Sequence, residues 1–166
     1  IPEEIAYIKA EACRELKDFD NAQKYYDVVL SAPAKNAKSA AARIGKGLAL
    51  FELKKFDEAK SEFQKAIDEN PDDHTVTLRA RFELGNSESA LKRFDAALKF
   101  YLLVGTIYDD DYYCPESLLR AGGLLETLNR KDEALKIYRQ ILEKYKDSPA
   151  AVGAGKRIAS LRERKN

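Results

Sequence analysis

Apolar and small residues recur along this chain at three- and four-residue spacing, in blocks of helical length separated by short polar breaks. The stretch from Gly47 to Pro71 shows the pattern most fully. Gly47, Leu50, Leu53, Phe56, Ala59, Phe63 and Ala66 fall on helical spacing, interrupted once around Lys54-Lys55. A 3.6-residue period predicts two amphipathic helices, and the short break folds one back on the other. Small residues at the crossing points let the two axes approach to roughly 8–10 Å.

The pattern repeats. Aligned on Ala59, the same frame recurs at Ala22, Ala97 and Ala134, at intervals of 37, 38 and 37 residues. Six residues before each alanine stands a leucine (Leu16, Leu53, Leu91, Leu128), and two before it an aspartate (Asp20, Asp57, Asp95, Asp132). Four residues after it comes an aromatic (Tyr26, Phe63, Tyr101, Tyr138), and twelve before it Ala10, Gly47, Gly85 or Gly122. The aspartates are expected to cap the second helix of each hairpin by accepting backbone N–H bonds and complementing the helix dipole. The aromatics are expected to fill the space between hairpins. A single hairpin cannot bury its apolar face, so the units must stack.

Taken in order, the units span about 3–35, 36–73, 74–110 and 115–147, followed by a lone helix over 149–163. In the first, Ile5, Ala6, Cys13 and Leu16 are expected to face inward. Pro33 is expected to stop the second helix, and Asn36 to cap the third. Pro115 and Glu116 are expected to open the fourth unit. The last helix, ending in the polar run Arg162–Asn166, is expected to cap the stack as one domain over 1–166.

Gly47-x2-Leu50, Ala59-x3-Phe63 and Pro71 resemble the tetratricopeptide (TPR) pattern G-x2-Y, A-x3-F and P, with Arg43 and Lys46 in place of the leading Trp and Leu. The resemblance covers almost the whole chain. It implies an all-α fold, a right-handed α-solenoid of four TPR-like helical hairpins plus a C-terminal capping helix. The repeat is longer than the 34 residues usual in the family. Joints such as Lys144 to Ile158 resemble bacterial cell-envelope TPR proteins of the Tol-Pal-coordinator and outer-membrane-assembly-lipoprotein type, which implies a bacterial periplasmic or envelope setting.

Composition narrows the function by exclusion. The 166 residues carry 29 Lys+Arg against 28 Asp+Glu, a net charge of +1. That balance leaves no electrostatic footprint for nucleic acid. No apolar run is long enough to span a membrane. Cys13 and Cys114 are expected to be free thiols packed as small hydrophobes. The only histidine, His74, sits among acids at a helix entry, and without a second no zinc site or imidazole triad can form. Asp109, Asp110 and Asp111 lack the EF-hand spacing and read as a helix cap. No catalytic constellation, metal site or cofactor site is expected.

What remains is surface. In the TPR family the first helices line a concave groove, which the resemblance carries onto Tyr7, Glu11, Ile44, Leu48, Phe51, Arg79, Phe82, Asn86, Leu119 and Glu126. Phe51 and Phe82 are expected to be exposed there, Ile44 and Leu48 equally to pack between helices, and Glu11 and Glu126 to stand at the rim. The expected function is a non-catalytic scaffold binding a protein or peptide, with no nucleic-acid partner. The family's carboxylate clamp, with Lys and Asn on the first helix, is absent, since Tyr7 and Glu11 or Ile44 and Leu48 stand there. Two other readings stay open: an accessory domain of a larger enzyme or lipoprotein whose active part lies upstream, and an RNA-binding helical repeat.

Overall fold

The structure is a computed structural model that describes residues 1–32 and 37–163. Among the described residues there are nine α-helices and no strand: α1 (Glu3–Glu15), α2 (Phe19–Leu30), α3 (Ala37–Glu52), α4 (Phe56–Glu69), α5 (His74–Ala90), α6 (Phe94–Ile107), α7 (Tyr113–Thr127), α8 (Lys131–Lys144) and α9 (Pro149–Glu163). The all-α architecture of helical hairpins is the expected one. The roles assigned to Pro33 and Asn36, and the last residues of the polar tail, lie outside the described residues. The chain forms two compact units, Ile1–Leu91 and Lys92–Asn166. In the first, α1 to α5 pack in succession, with α1 against α3 and α3 against α5 as well. In the second, α6 packs on α7, α7 on α8, and α9 on both α7 and α8.

The breaks after the repeated leucines share a left-handed residue. The only residues with positive φ among those described are Lys17, Lys54, Lys92 and Asn129, at φ 61, 61, 58 and 59. Each follows the leucine of the repeat. Lys54 N–H donates to Phe51 O at 2.9 Å and Lys55 N–H to Leu50 O at 2.9 Å. This is the paired 5→2 and 6→1 closure of a Schellman turn, and the same pairs close the turns at Lys17 and Asn129. A lysine in the left-handed region carries a steric cost that glycine does not. Lys54→Gly is therefore expected to raise stability by about 0.5–1 kcal/mol, read as a higher melting temperature. A lower one would show that the turn is not left-handed.

The repeated aspartates are not the caps. The N-cap residues of α4, α6 and α8 are Lys55, Arg93 and Arg130, none with a side-chain cap bond. Asp57, Asp95 and Asp132 stand two residues further on, inside the first turn, where a negative charge still complements the dipole. In α2 the cap is Asp18, whose carboxylate accepts the Asn21 N–H, and Asp20 again lies inside. The turn makes the difference: with its left-handed residue directly before the N-cap, it sets that cap two positions before each aspartate. Unit four likewise opens earlier than expected, at Tyr113. There Asp110 Oδ1 accepts the N–H groups of Tyr112 and Tyr113 at 2.9 and 2.6 Å.

The core follows the alternation of small and large. Ala22, Ala59, Ala97 and Ala134 are all fully buried, as are Tyr26, Phe63 and Tyr138. A Cβ placed on Gly47 would lie 2.4 Å from Phe63, and one on Gly122 2.2 Å from Tyr138, so each ring presses onto the first helix of its own hairpin. Tyr26, besides reaching α1 of its own hairpin, touches the next hairpin, where a Cβ at Gly45 would meet its ring. Cys114 is buried, its thiol donating toward Val104 O at 3.4 Å, and burial raises its pKa. Both cysteines are free.

Arg43 and Lys46, which replace the family's apolar pair, anchor an ion network. Arg43 donates through Nε and Nη2 to both oxygens of Glu69 at 2.7 Å and through Nη1 to Glu62 at 2.9 Å. Lys46 joins Glu62 of α4 at 3.4 Å to Asp27 of α2 at 2.7 Å. A salt bridge of 2.6 Å from Lys60 to Glu88 ties α4 to α5. The departure from the family pattern is thus an exchange of apolar packing for charge pairing.

The expectation that Ile5 and Leu16 face inward is not met. They are 46% and 81% exposed, whereas Ala6 and Ala10 are fully buried. The side of α1 that packs on α2 runs through Ala6 and Ala10, and Ile5 and Leu16 fall on the opposite side.

Candidate peptide-binding face

Eight of the expected groove residues lie in the first unit, on the first helices α1, α3 and α5. Their four-residue and three-residue spacing puts each set on one side of its helix. Tyr7, Glu11, Leu48, Phe51, Arg79 and Asn86 are half-buried there. Ile44 and Phe82 are 3% and 5% exposed, so both belong to the packing between helices. The expectation that Phe82 lies open on this face fails, because the helix layer closes over its ring.

Glu11 is not a free rim charge. Its Oε1 accepts the Tyr26 hydroxyl and its Oε2 accepts Arg14 at 2.8 Å. Burial works against its ionisation, but the hydrogen bonds from Arg14 and Tyr26 keep its pKa below the ordinary carboxylate value. The carboxylate thus ties α1 to the second helix of its own hairpin. Burial and the nearby Glu11 charge raise the pKa of the Tyr7 phenol, while Arg79 and Arg14 act in the other direction. Arg79 of α5 therefore directs its charge toward Tyr7 and Glu11 of α1, and its Nε is buried without a hydrogen-bond partner.

The apolar part lies on α3. Phe51 packs edge to face on Phe56, with ring centroids 5.1 Å apart. Leu48 lines a recess of about 400 Å³ with Arg14, Glu15, Lys17, Phe19 and Glu52. Asn86 donates to Glu83 at 2.9 Å. Neither Lys17 nor Phe19 was expected to border the face. Their place is set by the turn between α1 and α2, which the helix frame alone does not position.

Leu119 and Glu126 are in the second unit and serve its packing. Leu119 is half-buried beside α9, where a Cβ on Gly153 would lie 3.0 Å from it. Glu126 accepts the Tyr138 hydroxyl at 2.5 Å and faces Arg157 of α9 at 3.7 Å. In both units a tyrosine on the second helix of a hairpin, Tyr26 on α2 and Tyr138 on α8, thus crosses to a glutamate on the first. Burial and that glutamate push the Tyr26 and Tyr138 phenols well above their ordinary value. His74 begins α5 behind the capping Asp73, whose carboxylate accepts the Val76 N–H at 3.0 Å. Among the described residues no group of three or more His, Cys, Asp and Glu is placed to hold a metal. No helix among them is long and apolar enough to cross a membrane.

The fold is shared with solved structures. A tetratricopeptide repeat protein from Parabacteroides merdae superposes with a TM-score of 0.76 at 19% identity, over 98% of this chain and 60% of that one. This chain thus spans about three fifths of that protein's length. MamA from Desulfovibrio magneticus gives 0.73 at 17% identity over 89% of this chain and 78% of that one. The Rap conjugation gene regulator of plasmid pLS20, solved in complex with the Phr* peptide, gives 0.67 at 17% identity over 98% of this chain and 52% of that one. None of the curated proteins compared matches the sequence. Two tetratricopeptide-repeat family profiles do, over residues 14–82 and 77–149. With its repeated hairpins, buried aromatics and small crossing residues all in that family's frame, the chain belongs to the tetratricopeptide-repeat family.

Proposed function

We propose that this protein is a non-catalytic scaffold whose first unit binds an extended segment of a protein partner on the face formed by α1, α3 and α5. The observation that carries the reading is Arg79. Its Nε is shielded from water and unpartnered beside half-buried Tyr7, so it is poised for an acceptor that the chain itself does not supply. Leu48 and Phe51 offer apolar contact on the neighbouring helix, the combination that holds a peptide with one acidic or carbonyl anchor. The peptide complex of the Rap regulator, which has the same fold, supports the reading. The setting proposed is bacterial envelope assembly, on the resemblance of the joint from Lys144 to Ile158; fractionation of cells expressing the native gene tests it.

A displayed random-peptide library supplies the probe. Peptides enriched on the wild-type chain are expected to carry an acidic residue near apolar ones. Arg79→Ala and Leu48→Glu should each weaken a selected peptide by about 2 kcal/mol, roughly thirtyfold, with unchanged circular dichroism. Lys99→Ala, on an exposed site of the other unit, should leave the affinity alone. Selected peptides that bind both face variants as tightly as wild type would move the interface elsewhere.

A further inference from the structure

Two half-buried arginines of the first unit each hold two carboxylates. Arg14 meets Glu11 at 2.8 Å and Glu15 at 3.2 Å, and Arg43 meets Glu62 at 2.9 Å and Glu69 at 2.7 Å. Arg79 is half-buried as well, and its Nε is shut off from water. Yet among the described residues it makes no hydrogen bond and no ion pair. A charge only partly in contact with water and without a counter-ion burdens the free chain. A ligand that brings the counter-ion relieves it.

The charges around Arg79 narrow what that ligand carries. Glu11 of α1 feels the Arg79 charge, but its own oxygens are taken by Arg14 and the Tyr26 hydroxyl. Glu83 stands one turn further along α5 and accepts Asn86 at 2.9 Å. One cation is therefore open, with fixed carboxylates close by. A neutral carbonyl would leave that cation uncompensated. A phosphate dianion would set a second negative charge beside Glu11 and Glu83 with no cation to meet it. A single carboxylate balances the site, and its two oxygens match a guanidinium.

Depth decides which kind of carboxylate. With Nε out of reach of water, the guanidinium lies within the side-chain layer of the face rather than above it. A carboxylate on a side-chain stem reaches into that layer while the main chain stays outside. A terminal carboxylate has no stem and would draw main-chain amides in with it, unpaired. Resting on the reading that α1, α3 and α5 receive an extended segment, we propose that the segment is anchored by one internal aspartate or glutamate side chain paired with Arg79, with an apolar neighbour on Leu48 and Phe51.

Peptides selected on the wild-type chain and resynthesised with both ends blocked test this by calorimetry on the full chain. Replacing the acidic residue by its amide should weaken binding to the wild type roughly thirtyfold, as for one lost partner of a shielded charge pair. On Arg79→Gln the same replacement should change the affinity by less than about twofold, since the pair is already broken. Phosphoserine in the acidic position should bind more weakly than the carboxylate near neutral pH, and a free C-terminus should bring no gain. An equal loss on both chains overturns the proposal. So do selected peptides without an acidic residue, tighter binding of the phosphopeptide, and an affinity that needs a free C-terminus. Peptides weakened by Leu48→Glu but uncoupled from Arg79 sink the anchor alone. Peptides indifferent to both residues, or no enrichment at all, sink the binding face with it.

Discussion

Arg43→Ala is expected to cost the fold about 3 kcal/mol, the scale for removing one partner from a mostly buried ion cluster. The side chains of Arg43, Glu62 and Glu69 are 15%, 8% and 18% exposed, so the carboxylates left behind are poorly compensated by water. The loss should appear as a lower urea midpoint with an unchanged slope. It should also depend on pH. Burial raises the Glu62 pKa, but Lys46, Arg43 and Lys65 more than offset it, and the net value lies below the ordinary 4.5. A carboxyl held lower in the folded state than in the unfolded one contributes stability that is fully present above the unfolded value. That contribution disappears as pH falls through the folded one. The gap between wild type and Arg43→Ala should therefore be widest near neutrality and narrow as pH drops below about 4.5. A gap that stays constant down to acid pH would show that Arg43 acts through packing alone.

Two adjacent glycines should give effects of opposite sign. Gly122→Ala places a methyl 2.2 Å from the Tyr138 ring, which is fully buried and hydrogen-bonded to Glu126, so it cannot move freely. The expected cost is about 1–3 kcal/mol. Gly123→Ala meets nothing within 4 Å and gains the helix preference of alanine, about 0.5–1 kcal/mol of stabilisation. Thermal melts of the two single variants settle the comparison. Equal shifts would mean that the ring does not press on α7 at Gly122.

Much of this was legible in the sequence because its causes are local. Helical spacing fixed the hairpins, and the recurrence of alanine, glycine and an aromatic in one frame marked the crossings. The buried Tyr26, Phe63, Tyr101 and Tyr138 follow directly from that frame. The turns were only half visible. Lys54 and Asn129 adopt a conformation that favours glycine, and the pattern showed a break there without the closure that moves the helix start away from Asp57 and Asp132.

Tertiary structure alone decided the rest, because it depends on which surfaces meet. Phe51 and Phe82 were both expected to lie open on the same side of successive first helices, yet one is half-open and the other, like Ile44 at its own place in the repeat, is sealed by its neighbours. Glu11 reads as a surface charge until Tyr26 is seen to cross the hairpin to reach it. Arg43 and Lys46 read as lost hydrophobes until Glu62, Glu69 and Asp27 are found around them. Ile5 and Leu16 carry the spacing of core residues, and only the absence of a helix over that side of α1 among the described residues turns them outward. Periodicity tells which side of a helix is apolar. Whether anything covers that side is a property of the packed molecule.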